Sequence, residues 1–344
     1  MNITRSRRPI QLAAAVAVLA VTGLVAATYS SASGKLDGVR ASIKRDTLKV
    51  KGDDRANTVA LRLNGDQSRI QVDVGDNSSA DFSFALADVD AIKVRLGDAS
   101  DSARIDDANG AFTGDSRPTT LAGGDGNDSL QGGQATPAAN QNEKYRGGAG
   151  NDVVDGGRGN DTAYLGGGSD AFRWDPGEGS DVIEGQDGID TMLFNGAGVV
   201  DTVTMTEDRG RLTFLRQPGN VTMDANDVEV VDFNALGSAD SVTVDDLTGT
   251  DVTETNLDLA EALGGTVADA AVDNVVVNGT NGNDSIKIDG NGSGADVTGL
   301  ATTVSVEHAG ATDTLSVNTL AGTDSVAANG VAGVLQVLVD GAVV

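Results

Sequence analysis

The sequence predicts an all-β protein, a parallel β-roll or β-helix solenoid with a central block of nonapeptides flanked by degenerate β repeats of about 40–44 residues. Three observations predict it. A glycine and aspartate beat places Asp152, Asp161 and Asp170 at intervals of nine. Short stretches on either side of the block alternate apolar and polar residues, the period of a half-buried strand. These stretches come in closely spaced pairs of constant offset, and the pairs themselves recur, as at Asp46 and Asp90.

Composition agrees. The 344 residues include 46 glycines, only 3% aromatics and no cysteine. That excludes disulfides and thiolate metal sites, and it suits stacked short strands better than one large core. With 51 acidic and 24 basic residues the net charge is −27. A surface so acidic repels nucleic acid, favours cations and strains the compact state until counter-ions arrive. The basic residues show no cluster along the chain.

Residues 1–32 read as a secretory signal peptide. Arg5, Arg7 and Arg8 precede an uncharged, almost wholly apolar run from Ile10 to Ala27, and Ser30-Ser31-Ala32 offers small residues for cleavage. The run is also near the lower limit for a membrane anchor, which stays open as an alternative. Either way the bulk of the chain is expected outside the cell.

Residues 33–120 form an N-terminal β-repeat region. Asp46-Thr47-Leu48-Lys49-Val50 is followed by Asn57-Thr58-Val59-Ala60-Leu61, and Asp90 to Val94 is followed at the same offset by Asp101 to Ile105. Gly52 to Ala56 and Gly97 to Ser100 resemble decayed glycine turns.

Residues 121–195 hold the block and its cap. Gly123-Gly124-Asp125-Gly126-Asn127-Asp128-Ser129-Leu130-Gln131 is one copy, and 147–155 and 156–164 are two more. The stretch 165–173 keeps the frame without its first glycine. Glycines at the first, second and fourth places allow tight turns at positive φ with carbonyls pointing inward. The sixth-place aspartate adds a carboxylate, and the last three places make a strand burying one side chain. Two units make one coil, so every second turn stacks on one edge. A calcium ion needing six to eight oxygens fits between stacked turns.

This pattern, Gly-Gly-x-Gly-x-Asp-x-apolar-x, resembles the hemolysin-type (RTX) calcium-binding nonapeptide of parallel β-rolls. The resemblance covers about 50 residues. It implies Ca2+ as the bound ion and a ligand set of Gly124, Gly126, Asp128, Gly148, Gly150, Asp152, Gly157, Gly159, Asp161, Gly166, Gly168, Asp170, Asp181 and Asp190. Asp152 and Asp170 are expected to share an ion on one edge, which Asp128 extends. On the opposite edge Asp161 should pair near 174–181, where Asp175, Glu178 and Asp181 stand. The unpatterned stretch Gln134 to Arg146 should bulge as a surface loop. Trp174, Phe172, Ile183, Met192, Leu193 and Phe194 are expected to cap the coil.

Residues 196–344 form a C-terminal β-repeat region with pairs starting at 229, 273 and 313. A unit of this length fits two wide coils of a solenoid or one propeller blade; the solenoid is preferred because it continues the roll. Leu257 to Leu263 is the one helix candidate. The turn Gly279 to Asp284 comes closest to the signature here, and Asp284 is expected to bond local backbone.

Catalytic machinery is missing. The single histidine, His308, rules out His-Glu-x-x-His; no Gly-x-Ser-x-Gly occurs, and His308 is expected on a strand face. The function expected is therefore non-enzymatic: a secreted, extracellular calcium-binding solenoid, structural or adhesive, with cell-surface or matrix polysaccharide or protein as partner and neither nucleic acid nor, after cleavage, membrane. Two alternatives stand beside it. One is a polysaccharide lyase or hydrolase on a solenoid groove. The other is a surface-recognition or ice-binding module with outward Thr and Ser, for which Thr243 and Ser316 are the residues to check.

Overall fold

A computed structural model describes residues 34–344 apart from 115, 136–141 and 332. The expected signal segment and the middle of the Gln134–Arg146 stretch lie outside the described residues. The chain winds between two facing sheets of 16 and 14 strands, and most neighbouring strands are parallel. Among the described residues there is no α-helix, only a 3-10 turn at Leu86–Asp88.

Each coil contributes one strand to each sheet. Inward residues on the two strands, such as Leu121 and Leu130, or Ala163 and Phe172, are fully buried between the sheets. The register steps give the coil lengths. Lys144 pairs with Thr162 and Val153 with Ala171, so this coil has the expected length of two repeat units. The next coil is slightly longer, pairing Thr162 with Val182, and the one before is longer still, pairing Thr120 with Lys144.

The flanking units that start at Asp46 and Asp273 are single coils with extra strands inserted, not two wide coils each, whereas from Glu229 a plain coil pairs Val230 with Glu254 and Asp273 leads into the opposite sheet. Thr47 pairs with Ala91, its neighbour one coil later. The extra length is the antiparallel pair Arg69–Val74 and Phe82–Ala85, which ends the smaller sheet. Farther on, Thr202–Asp208, Arg211–Gln217 and Val221–Asn226 form an antiparallel meander inside the larger sheet. Ser285–Gly290, Ala295–Thr298 and Thr303–Glu307 do the same in the smaller one. Each meander enters and leaves its sheet through parallel pairings, so the stack runs on through it.

Three expectations need correction: Glu143–Arg146, expected in the surface loop, begin strand Glu143–Ala149 instead, with Tyr145 fully buried. Leu257 belongs to strand Glu254–Asp258, and the residues after it turn; the apolar spacing of Leu257 and Leu259 serves a strand entering the core. Trp174, Phe172, Ile183, Met192 and Phe194 do not cap an open end, because both sheets continue past them into Val221–Asn226 and Val230–Asn234. Instead Trp174 stacks on Phe194 at 4.0 Å and 7°, and Phe214 and Phe233 complete a buried aromatic cluster. Leu193 faces outward, half-buried.

Candidate metal centre

Where the chain crosses between the sheets, the turns stack, and so do their acids. On one edge a backbone ladder runs through the carboxylates. The N–H of Asp101 donates to Asp128 Oδ1 (2.8 Å), that of Asp128 to Asp152 Oδ1 (2.7 Å), and that of Asp152 to Asp170 Oδ1 (2.6 Å). Asp170 donates to Asp190 Oδ1 (2.9 Å), and Asp190 to a Glu229 carboxylate oxygen (2.7 Å). On the opposite edge Glu143 N–H donates to Asp161 Oδ1 (2.6 Å) and Asp161 N–H to Asp181 Oδ1 (2.7 Å).

The fifth-place residues run a second ladder in the reverse sense. Asn151 N–H donates back to Asn127 Oδ1, Ser169 to Asn151, Asn160 to Asn142 and Ser180 to Asn160. The two ladders fix each turn over the next.

The glycines make this stacking possible. Gly148 has φ +131°, and a Cβ there would lie 1.8 Å from the carbonyl oxygen of Gly124 one coil below. Gly123 and Gly147 have a different duty: a Cβ on Gly123 would fall 1.9 Å from Asp128 Oδ2, and one on Gly147 2.2 Å from Asp152 Oδ2, each in its own turn. The glycine beat is thus the shape of the space the carboxylate occupies.

The second carboxylate oxygen is the chemically telling atom. Oδ2 of Asp101, Asp128, Asp152, Asp170 and Asp190, and of Asp161 and Asp181, is buried without a hydrogen-bond partner among the described residues, as are both carboxylate oxygens of Glu143. Successive coils are roughly 4.8 Å apart, so these are like charges held close and dry. Burial, and then the nearness of Asp128 and Asp170, pushes Asp152 up to about 7. Burial likewise pushes Asp101 and Asp190 up to about 6. Asp161 is driven strongly upward by burial and by Asp181 and Glu143. Buried polar oxygens without partners cost of order 1–3 kcal/mol each. Carboxylate oxygens buried in successive glycine turns are the donor type that a hard divalent cation takes.

The structure places the sequence-predicted acids in two columns. Asp128, Asp152, Asp170 and Asp190 share one edge; Asp161 and Asp181 share the other. Gly124, Gly126, Gly148, Gly150, Gly166 and Gly168 line the first edge at positive φ, and Gly157 and Gly159 the second. In the last turn Gln186 stands at the second glycine place and takes φ +78° itself.

Sequence reasoning missed several neighbours. Asp101 continues the first column below the repeats; its signal is the Asp-Ser-apolar run shared with Asp128. Glu143 opens the second column; its signal is Asn142, matching the Asn before Asp128, Asp152 and Asp161. A further acidic group, Asp155, Asp175 and Glu178, has ligand atoms within 4.8 Å of one another, but Arg173 already bridges Asp155 and Asp175. The flanks carry the ladder too, from Asp201 through Asp240 and Asp273 to Asp313. Asp284 accepts the Thr280 N–H at 2.8 Å, the local bond expected of it, and its own N–H donates to Asp324. His308 follows a strand at φ +53°, with Nδ1 2.8 Å from Asp258 Oδ1, so it occupies a turn rather than a strand face. Thr243 and Ser316 lie in one outward column, but Val276 separates them and Leu338 follows.

Comparison with known proteins points the same way. The family model of the RTX calcium-binding nonapeptide repeat matches four copies at residues 113–135, 139–172 and 176–193. No curated protein and no solved structure matches the chain.

Proposed function

We propose, from the premise that residues 113–193 carry RTX-type calcium-binding repeats, that the chain is an exported calcium-dependent solenoid with a structural or adhesive role at a cell surface or in its matrix. Calcium would be held on the first edge by Asp128, Asp152, Asp170 and Asp190 with carbonyls of Gly124, Gly126, Gly148, Gly150, Gly166 and Gly168. On the second edge Asp161 and Asp181, with Gly157 and Gly159, would hold it. The ion supplies positive charge between coils whose acids otherwise repel.

One observation carries this reading: consecutive coils present buried carboxylate oxygens with no hydrogen-bond partner among the described residues. Extracellular calcium modules bind at about 10⁻⁴–10⁻³ M, so such sites stay empty where calcium is scarce and fill after export. Binding to a site that exists only in the folded state is folding free energy.

Isothermal titration calorimetry of the purified chain with calcium tests it. Two or more saturable sites are expected, weakened by Asp152→Asn and Asp170→Asn. The absence of calcium heat would overturn the proposal.

A further inference from the structure

The coil stacking assembles something the linear sequence scatters. On the outward face of the larger sheet, Arg40 pairs with Lys51, Lys51 with Arg95, Arg95 with Ala122 and Ala122 with Arg146. One position over, Lys49 pairs with Lys93, Lys93 with Thr120 and Thr120 with Lys144. Lys44, paired with Thr47, lies at the foot of the same face. Their strand neighbours Leu48, Val50, Ile92, Val94, Leu121 and Tyr145 all point into the core, so alternation sends the cations out.

Seven of these side chains form two columns that span five strands, roughly 20 Å, interrupted at one strand by Ala122 and Thr120, and Lys44 stands in the next column beside Thr47. Arg40, Lys44, Lys51, Lys93, Arg95 and Arg146 are exposed and the other two half-buried. None makes an ion pair among the described residues. That is unusual in a chain of net charge −27. On the smaller sheet three arginines are paired with acids: Arg62 is bound to Asp73, Arg104 to Asp76 and Arg173 to Asp155. Charge neutralisation is available elsewhere in this protein and is withheld here.

The surroundings select the partner. Acids rim the strip on both sides, Asp46 and Asp90 before the strands and Asp98 and Asp125 at their far ends. A wide polyanion, such as a nucleic acid duplex or a lipid surface, would lay much of its charge over those rims. A single linear chain would not. At the upper end of the strip Tyr164 follows Arg146, with Arg146 4.8 Å and Lys144 5.5 Å from its ring centre. Beside it opens a cavity of about 420 Å³ floored by Gly166 and Gly167 and bordered by Gln186 and Asp187. A ring edge, an amide and a carboxylate over bare backbone match the hydroxyls and apolar face of a sugar.

We infer that this face binds a linear acidic polysaccharide, its carboxylates on the two cation columns and a sugar ring beside Tyr164. The inference gives a ligand to the adhesive role proposed above; Gly148 and Gly166 border both the cavity and the first metal edge, but the lysines of the cation columns are outside the proposed calcium ligands, so their substitution tests the two separately.

The test uses the calcium-loaded full chain and uronic acid oligomers of defined length, followed by fluorescence anisotropy. Binding that weakens with salt is expected, with no binding of a neutral glucan. Lys49→Gln, Lys93→Gln and Lys144→Gln together should weaken it by about fivefold per charge removed, with calcium titration and circular dichroism unchanged. Lys287→Gln, on the smaller sheet, should leave it unchanged. Absent binding overturns the inference, as does tighter binding of duplex DNA, single-stranded nucleic acid or anionic phosphatidylglycerol vesicles. Undiminished binding by the triple variant, the sign of calcium bridging through the acidic edges, overturns it too.

Discussion

The backbone N–H of Asp152 donates to Oδ1 of Asp170 at 2.6 Å, while Oδ2 of the same Asp170 is buried with no hydrogen-bond partner among the described residues. One oxygen holds the coils in register and the other is left for something outside the chain. The two duties can be separated chemically. Asp152→Asn keeps an oxygen to accept the Asp128 N–H but removes the charge. In EDTA the variant should unfold at a higher temperature than the parent, because a buried repulsion is gone. In calcium it should unfold lower, by roughly 1–3 kcal/mol. Thermal unfolding under both conditions reads the crossing; parallel shifts would mean the charge has no ligand role.

Protons should substitute for the ion. Asp152 stands at about 7 and Asp101 and Asp190 at about 6 in the fold, against an ordinary 3.8. A folded value raised above the unfolded one contributes stability that is complete below the unfolded pKa and is lost as pH rises through the folded one. In EDTA, therefore, stability should fall between about pH 4 and pH 8. Asp76, held low by Arg104, and the exposed Asp66, held low by Ser68, work the other way but are fewer than the raised groups. Calcium affinity should rise over the same window, as protons cease to compete. Unfolding midpoints and calcium titrations across that range check both slopes.

The close approach of the turns makes a sharp steric prediction. Gly148→Ala places a methyl 1.8 Å from a backbone oxygen at φ +131°, and should cost more than about 2 kcal/mol in calcium. Gly65→Ala, with nothing within 4 Å of the added carbon, should change little. Urea unfolding of the pair measures the contrast.

The aromatic cluster tests which part of the stability is independent of metal. Phe194 lies 4.0 Å from Trp174 and 4.5 Å from Phe214, between ring centres. Phe194→Ala should destabilise by about 3–5 kcal/mol, equally in calcium and wherever the EDTA form remains folded. A loss confined to one condition would place the cluster under control of the ion columns.

The pairing of Asp152 with Asp170 is legible in the sequence because two uninterrupted repeat units fix which turns stack. Asp161 and Asp181 are legible only as a neighbourhood, since the longer coil between them breaks the count. Glu143 is hidden by the unpatterned stretch before it, which erases the frame while the ladder survives. The meander at Thr202–Asp208 and Arg211–Gln217 escapes because alternation marks a strand and its buried face but is silent about its direction. The cation strip escapes for a related reason. Lys51 and Arg95 are far apart along the chain, and only a coil of matching length sets them side by side.

The central claim is that paired coils hold their acids together through divalent ions. It is tested most directly by far-UV circular dichroism and thermal unfolding of the chain in millimolar calcium and in excess EDTA. A site occupied at a hundred times its Kd contributes about 2.7 kcal/mol, so several such sites predict a large rise in the unfolding midpoint and a gain of strand signal with calcium. Equal strand content and equal midpoints in both buffers would contradict it.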